Sequence, residues 1–314
     1  MSNSFRTILA VPGSSEKMID KSRTLSVDHI FLDLEDSVTP NSKESARRSV
    51  VSALLQGGFT GNAPLVRIND LETPWWQDDL AQILLGAGSL FNSIIVPKVQ
   101  SAEQVARVDS EISKLEHELN LPDGKFKIQV QIESASGVMN LKEIAKASSR
   151  MSALVFGPGD FAASIGMQTL HLGDNPVGYA GHDAYHPILI QILVAARANN
   201  LLAIDGPYSD ISNLEGLTRS ARNSAALGFD GKWVIHPSQI EIVNEIFTPR
   251  QSVFDESEDL LELLADSTSQ GAILFNGKMV DEASRKMAIV IAEKGRAAGM
   301  ARSKNSIRNQ ESKS

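Results

Sequence analysis

The sequence predicts an α/β fold, a (β/α)8 TIM barrel with a small C-terminal extension, on three observations. Eight short apolar runs recur along the chain. Amphipathic, helix-length stretches alternate with them. The alternation ends near residue 247, close to the roughly 250 residues typical of such a barrel.

The runs are 7–12, 29–35, 64–69, 93–99, 126–133, 153–158, 202–207 and 232–237. Each is rich in Ile, Val or Leu and stops at a polar residue, Gly or Pro, as strands buried on both faces do. Helical patterns fill the intervals. Residues 42–55 place Ala46, Val50, Ala53 and Leu54 on one face. Residues 101–119 open with Ser101 as a cap and Glu103 in the first turn, and 210–227 stop at Gly228. An open doubly wound sheet is the competing arrangement of the same elements. After residue 247 the character changes. An acidic helix is expected over 255–265, a hairpin around Asn276-Gly277, and a last helix over 282–298. The segment 248–300 therefore reads as a small lid-like extension, and the polar stretch 301–314 as a disordered tail.

With 42% hydrophobic and 22% charged residues the chain can bury a large core, and its net charge of −8 argues against nucleic acid or an anionic membrane as the target. No apolar stretch is long enough for a membrane span or a signal segment. The absence of cysteine excludes disulfides, thiolate metal sites and a cysteine nucleophile, and it fits a cytoplasmic location.

Barrel chemistry sits at the C-terminal ends of the strands. Glu35, Asp36, Arg67, Lys98, Glu133, Asp160, Asp205 and His236 finish or follow the runs. So many ionisable groups on one rim point to a site. Glu133 and Asp160 follow consecutive strands, so both can face one hard cation, magnesium with manganese as the alternative. They can equally cap the helices that follow. Arg67 can clamp a carboxylate and stabilise an oxyanion, or pair with Asp33, Glu35 or Asp36. Gly159 and Asp160 open a helix whose amides could receive a carboxylate. His182 and His186 lack the glutamate of a zinc-protease motif, and His236 reads as structural.

Six ordered motifs carry a resemblance. They are Asp33-Leu34-Glu35-Asp36-Ser37-Val38 with Lys43 and Arg47, Val66-Arg67-Ile68-Asn69, Val96-Pro97-Lys98, Gln131-Ile132-Glu133-Ser134-Ala135, Gly157-Pro158-Gly159-Asp160-Phe161, and 231–239 around His236. From about residue 6 to about residue 292 the chain resembles the citrate lyase β-subunit-like family, in the HpcH/HpaI aldolase superfamily, and within it the malyl-CoA, β-methylmalyl-CoA and citramalyl-CoA lyases. The resemblance implies a magnesium-dependent carbon–carbon lyase of the oxo-acid-lyase type. Such an enzyme would split a 3-hydroxyacyl-CoA such as malyl-CoA into acetyl-CoA and glyoxylate, or form it by Claisen-type condensation. It implies Glu133 and Asp160 as metal ligands and Arg67 as the substrate-binding arginine. Asp281, in Gly277-Lys278-Met279-Val280-Asp281, matches the family's proton-transfer aspartate, although Glu282-Ala283-Ser284 replaces the Pro-Val pair that usually follows. The family's C-terminal segment reaches over a neighbouring subunit, so a homotrimer or dimer of trimers is expected, with Asp281 serving either in cis or in trans.

On this mechanism Glu35 and Asp36 organise the rim around the substrate. Lys17, Lys21 and Arg6 are candidates, on position alone, for the phosphates of coenzyme A; a solvated helix face is the alternative for each. The competing functions are a citramalyl-CoA or citryl-CoA lyase, a class II aldolase acting on free keto acids, a β-chain dependent on an acyl-carrier partner, and a coenzyme A-binding protein without catalysis.

Overall fold

The computed structural model describes residues 4–266 and 272–303. The expected tail therefore lies outside the described residues beyond Ser303. The chain divides into two compact units, Phe5–Phe247 and a segment starting at Thr248.

In the first unit β1 (Thr7–Pro12), α1 (Glu16–Ser22), β2 (His29–Asp33), α2 (Lys43–Gln56), β3 (Leu65–Arg67), α3 (Trp76–Ala87), β4 (Ser93–Val96) and α4 (Ala102–Glu118) form the first half. The second half runs β5 (Lys127–Ile132), α5 (Ala135–Met139), α6 (Leu141–Ile144), β6 (Met151–Phe156), α7 (Pro158–Ser164), α8 (His186–Ala198), β7 (Leu202–Asp205), α9 (Leu214–Leu227), β8 (Gly231–Val234) and α10 (Ile240–Phe247). The strands pair in parallel in sequence order, and β8 closes on β1 through Ile8–Trp233 and Leu9–Val234. All eight apolar runs supply the strands, and closure rules out the open sheet.

The helix ends follow local chemistry. Ser101 and Gln104 form a capping box on α4, Asn213 caps α9, and Gly228 ends α9 at φ 113°. A residue with a Cβ is disfavoured at that angle.

Strand side chains alternate between two cores. Ile8, Phe31, Leu65, Ile95, Ala153, Val155, Ile204 and Trp233 fill the barrel. Leu32, Val66, Ile94, Ile128, Val130, Ile132 and Val234 face the surrounding helices. The same alternation decides which rim residues reach the mouth. Asp33 and Arg67 lie two residues beyond the interior Phe31 and Leu65, so they point inward. Glu133 shares the inward register of Gln129 and Gln131. Asp205 follows the interior Ile204 and therefore turns outward, where its carboxylate receives Lys232 Nζ at 2.6 Å. Its expected place among the rim groups is corrected accordingly.

The second unit holds α11 (Gln251–Asp266), β9 (Ile273–Phe275), β10 (Lys278–Val280) and α12 (Glu282–Ala297). Asn276 and Gly277 turn the hairpin at φ 48° and 77°, the pair of positive angles that a type I′ turn needs. Helix α11 starts at Gln251, ahead of the expected 255. The earlier start brings Phe254 onto the helix, and its buried ring lies against Gly295 of α12, where a side chain would collide with it.

A buried ion pair braces the lower half of the barrel. Glu116, at the end of α4, has no exposure and receives Arg150 through bonds of 2.8 and 2.7 Å. It also accepts the amides of Phe126 and Gly124, which lead into β5. Removing one partner of such a pair strands a buried charge. Glu116→Ala should lower the unfolding free energy of the barrel by about 3–5 kcal/mol in urea melts. A loss under about 1 kcal/mol would show that the pair is solvated rather than buried.

Candidate active site

The C-terminal mouth of the barrel gathers Asp33, Glu35, Asp36, Arg67, Lys98, Gln131, Glu133 and Asp160. Arg67 is 7% exposed. Its guanidinium lies 5.5 Å from the Phe31 ring and 5.7 Å from the Trp233 ring, an aromatic floor. Asp33 grips it through two bonds, Nε to Oδ1 at 2.7 Å and Nη2 to Oδ2 at 2.8 Å. Its third nitrogen, Nη1, lies 3.1 Å from Glu35 Oε2 and donates to Gln131 Oε1 at 3.4 Å. Burial works against the charge of Arg67, but Asp33, Glu35 and Glu133 outweigh it and its pKa is raised. Arg67 thus makes the ion pair that one reading of the sequence expected: Asp33 anchors two nitrogens, and the third meets Glu35 and Gln131.

Glu133 is 3% exposed. Its Oε1 accepts the Lys98 amide at 2.7 Å, and its Oε2 accepts the Gln131 amide group. Burial, reinforced by the negative charge of Asp160, pushes its carboxyl up to about 8. Gly157 lies against it. A methyl at Gly157 would come within 2.5 Å of Glu133 Cβ, so this position is restricted to glycine by the glutamate. Asp160 is exposed in the first turn of α7. Gly159 beside it packs so closely on Leu172 that a Cβ would lie 2.6 Å from the leucine Cδ2.

Lys43 supports the β2–α2 loop from below. Its buried ammonium donates to the carbonyls of Leu34 and Glu35, both at 2.7 Å. Asp33, Glu35, Asp36, Glu133 and Asp160 set five carboxylates against the three cations Arg67, Lys98 and Lys43. With all five ionised, two negative charges are left over. Every group that could meet a cation there is an oxygen, and the excess equals the charge of one hard divalent ion. The residues fit magnesium, which takes one or two protein carboxylates and keeps its other positions for water and substrate. Among the described residues no group of three His, Asp or Glu side chains is arranged to hold a metal by itself.

Other expected residues lie apart from this cluster. Lys17 and Lys21 are exposed on α1, just beyond the C-terminal end of β1. Arg6 precedes β1 and so stands at the opposite rim, where Asp28 holds it at 2.9 and 2.7 Å. That location sets it apart from the cluster at the mouth. His236 Nδ1 accepts the Ser238 amide and caps a short turn, and His182 and His186 are exposed. Asp281 caps α12. Its Oδ1 accepts the amides of Ala283 and Ser284 at 2.9 and 3.1 Å, which hold the carboxyl below its usual range.

The sequence marks Lys98 as a strand end and a motif residue, and Gln131 only within a motif. Inward register signals Gln131. The link from Lys98 to Glu133 depends on a left-handed backbone that residue types do not announce.

Residues 6–237 match the HpcH/HpaI aldolase/citrate lyase family, and the chain belongs to it: this is a carbon–carbon lyase built on a βα barrel. The chain is 38% identical over 293 residues to the L-malyl-CoA/beta-methylmalyl-CoA lyase of Cereibacter sphaeroides, covering 89% of this chain and 91% of that protein. It is 33% identical to the malyl-CoA/beta-methylmalyl-CoA/citramalyl-CoA lyase of Chloroflexus aurantiacus, over 86% of this chain and 81% of that one. Among solved structures, CitE from Mycobacterium tuberculosis, in complex with magnesium, acetoacetate and coenzyme A, superposes with a TM-score of 0.73. The identity is 27%, over 96% of this chain and all of that one. No helix among the described residues is long and apolar enough to cross a membrane.

Burial, the largest influence, also lifts Glu35 to about 7. Its folded pKa therefore exceeds the unfolded value, and the folded chain holds the extra proton between about pH 5 and pH 7. The stability this group contributes is present at low pH and is lost as pH rises through that window. In protein stripped of divalent cations, the melting temperature of Glu35→Gln relative to wild type should rise from pH 5 to pH 8. A difference that stays constant with pH would contradict the buried, proton-holding Glu35.

Proposed function

We propose that this chain is a magnesium-dependent lyase of 3-hydroxyacyl-CoA thioesters. It cleaves malyl-CoA into acetyl-CoA and glyoxylate and runs the reverse condensation. The observation that carries the reading is the buried, doubly anchored Glu133 beside Asp160 and Arg67 at the barrel mouth. The coenzyme A part of the reading is supported by the malyl-CoA lyases it is similar to and by the CitE complex.

Glu133 and Asp160 would hold the cation, with manganese able to replace magnesium. When bound, the ion supplies Lewis acidity and a template for the oxo-acid oxygens. The chain's own residues do the rest. The Nη1 edge of Arg67 donates to the oxygen that gains charge as the carbon–carbon bond breaks; its partners stop it from reorienting. The Gly159 backbone receives the substrate carboxylate, and Glu35 and Asp36 hold the rim in place. In cleavage the hydroxyl proton passes by way of solvent to the Asp281 carboxylate, the bond between the two carbons breaks, and its electrons pass to the thioester enolate. Asp281 returns a proton to that carbon to give the acetyl group; in condensation it removes one. Its capped carboxylate is held ionised, the form a base needs. In this reading Asp281 comes from a neighbouring copy in a homotrimer or dimer of trimers, and Lys17 and Lys21 meet the coenzyme's phosphates.

Purified chain with magnesium should release glyoxylate from malyl-CoA, and chelation should abolish the release. Asp281→Asn should lower turnover about 10²–10⁴-fold, the range for lost acid–base help, with cation affinity unchanged. Undiminished turnover in Asp281→Asn would remove Asp281 from the mechanism. Full activity in chelator would overturn the metal, and cleavage of free hydroxy-keto acids alone would favour the aldolase.

A further inference from the structure

We infer that Lys98 is a positioning residue that sets the charge and placement of the acidic rim, so that an anionic oxo-acid can enter beside the cation. The inference rests on the metal and oxo-acid reading above and adds a residue to it.

Lys98 sits at φ 53°, one of few residues other than glycine in the left-handed region among those described. A residue with a Cβ is disfavoured there, and such strain persists where surrounding structure enforces it. The enforcing partners are all carboxylates of the site. Its amide donates to Glu133 Oε1 at 2.7 Å. Its ammonium donates to Glu35 Oε1 at 2.6 Å and Asp36 Oδ1 at 3.2 Å. Glu35 Oε2 in turn faces Arg67 Nη1 at 3.1 Å. Lys98 thus holds the other oxygen of the Glu35 carboxylate and fixes how the glutamate meets the Nη1 edge of Arg67.

The charge count gives the role a signature. With a divalent cation in place, the five carboxylates and three basic groups balance. Without the Lys98 ammonium one negative charge is left over. That excess attracts a cation and repels an oxo-acid anion, so the two affinities move in opposite directions. A brace with no electrostatic role would weaken both together.

The test is calorimetric titration of magnesium, then of glyoxylate into magnesium-saturated protein, for wild type, Lys98→Gly and Lys98→Gln. Glycine accepts the left-handed angle and keeps the amide bond to Glu133, so Lys98→Gly should retain a cooperative melt even if Lys98→Gln does not. Magnesium affinity should be unchanged or tighter, and glyoxylate affinity at least about tenfold weaker. In turnover the loss should fall on KM for the oxo-acid more than on kcat. Equal glyoxylate affinity in wild type and variants, or parallel loss of both affinities, would overturn the role of Lys98 alone. Failure of the wild type to bind magnesium would overturn the proposed function and this inference with it.

Discussion

The negative charge of Glu133 has almost no water to solvate it, and the rest of the site is arranged around that fact. A carboxylate buried among apolar strands is stable only when hydrogen-bonded and matched by opposite charge. The Lys98 amide and Gln131 meet the first need. The second is met only in part: Arg67 lowers the pKa of Glu133, but burial and Asp160 outweigh it. A barrel mouth with two uncompensated negative charges is a poor way to stabilise a fold. It is a good way to hold a small divalent ion.

The same constraint explains why Arg67 is so heavily supported. Its buried guanidinium has Asp33 on one face and an aromatic floor beneath it. Held as it is, it presents a single edge to the mouth. Lys43 and Lys98 extend the scheme outward, fixing the loop that carries Glu35 and Asp36 by its carbonyls and by its side chains.

Much of this was legible in the chain. Eight apolar runs in alternation with helices led to the barrel, because strands covered on both faces are mostly apolar; β5, with Gln129 and Gln131 turned inward, is the exception. Period-two register then separates Asp33, Arg67 and Glu133, which point in, from Asp205, which points out to Lys232. Listing strand ends without applying the register placed Asp205 on the rim. The same kind of reading places Arg6: the residue before a strand belongs to the far end of a barrel. What no pattern could supply is the three-way link through Lys98. It depends on a backbone angle enforced by partners 35 and more residues away. Of the two readings the sequence offered for Arg67, the ion pair is the one its contacts show.

The account turns on a cation seated between Glu133 and Asp160. The most direct measurement is a crystal structure of the protein soaked in manganese, with anomalous data. The account predicts one strong anomalous peak in coordination contact with both carboxylates, lost in Glu133→Gln. A peak elsewhere, or none at saturating manganese, would contradict it.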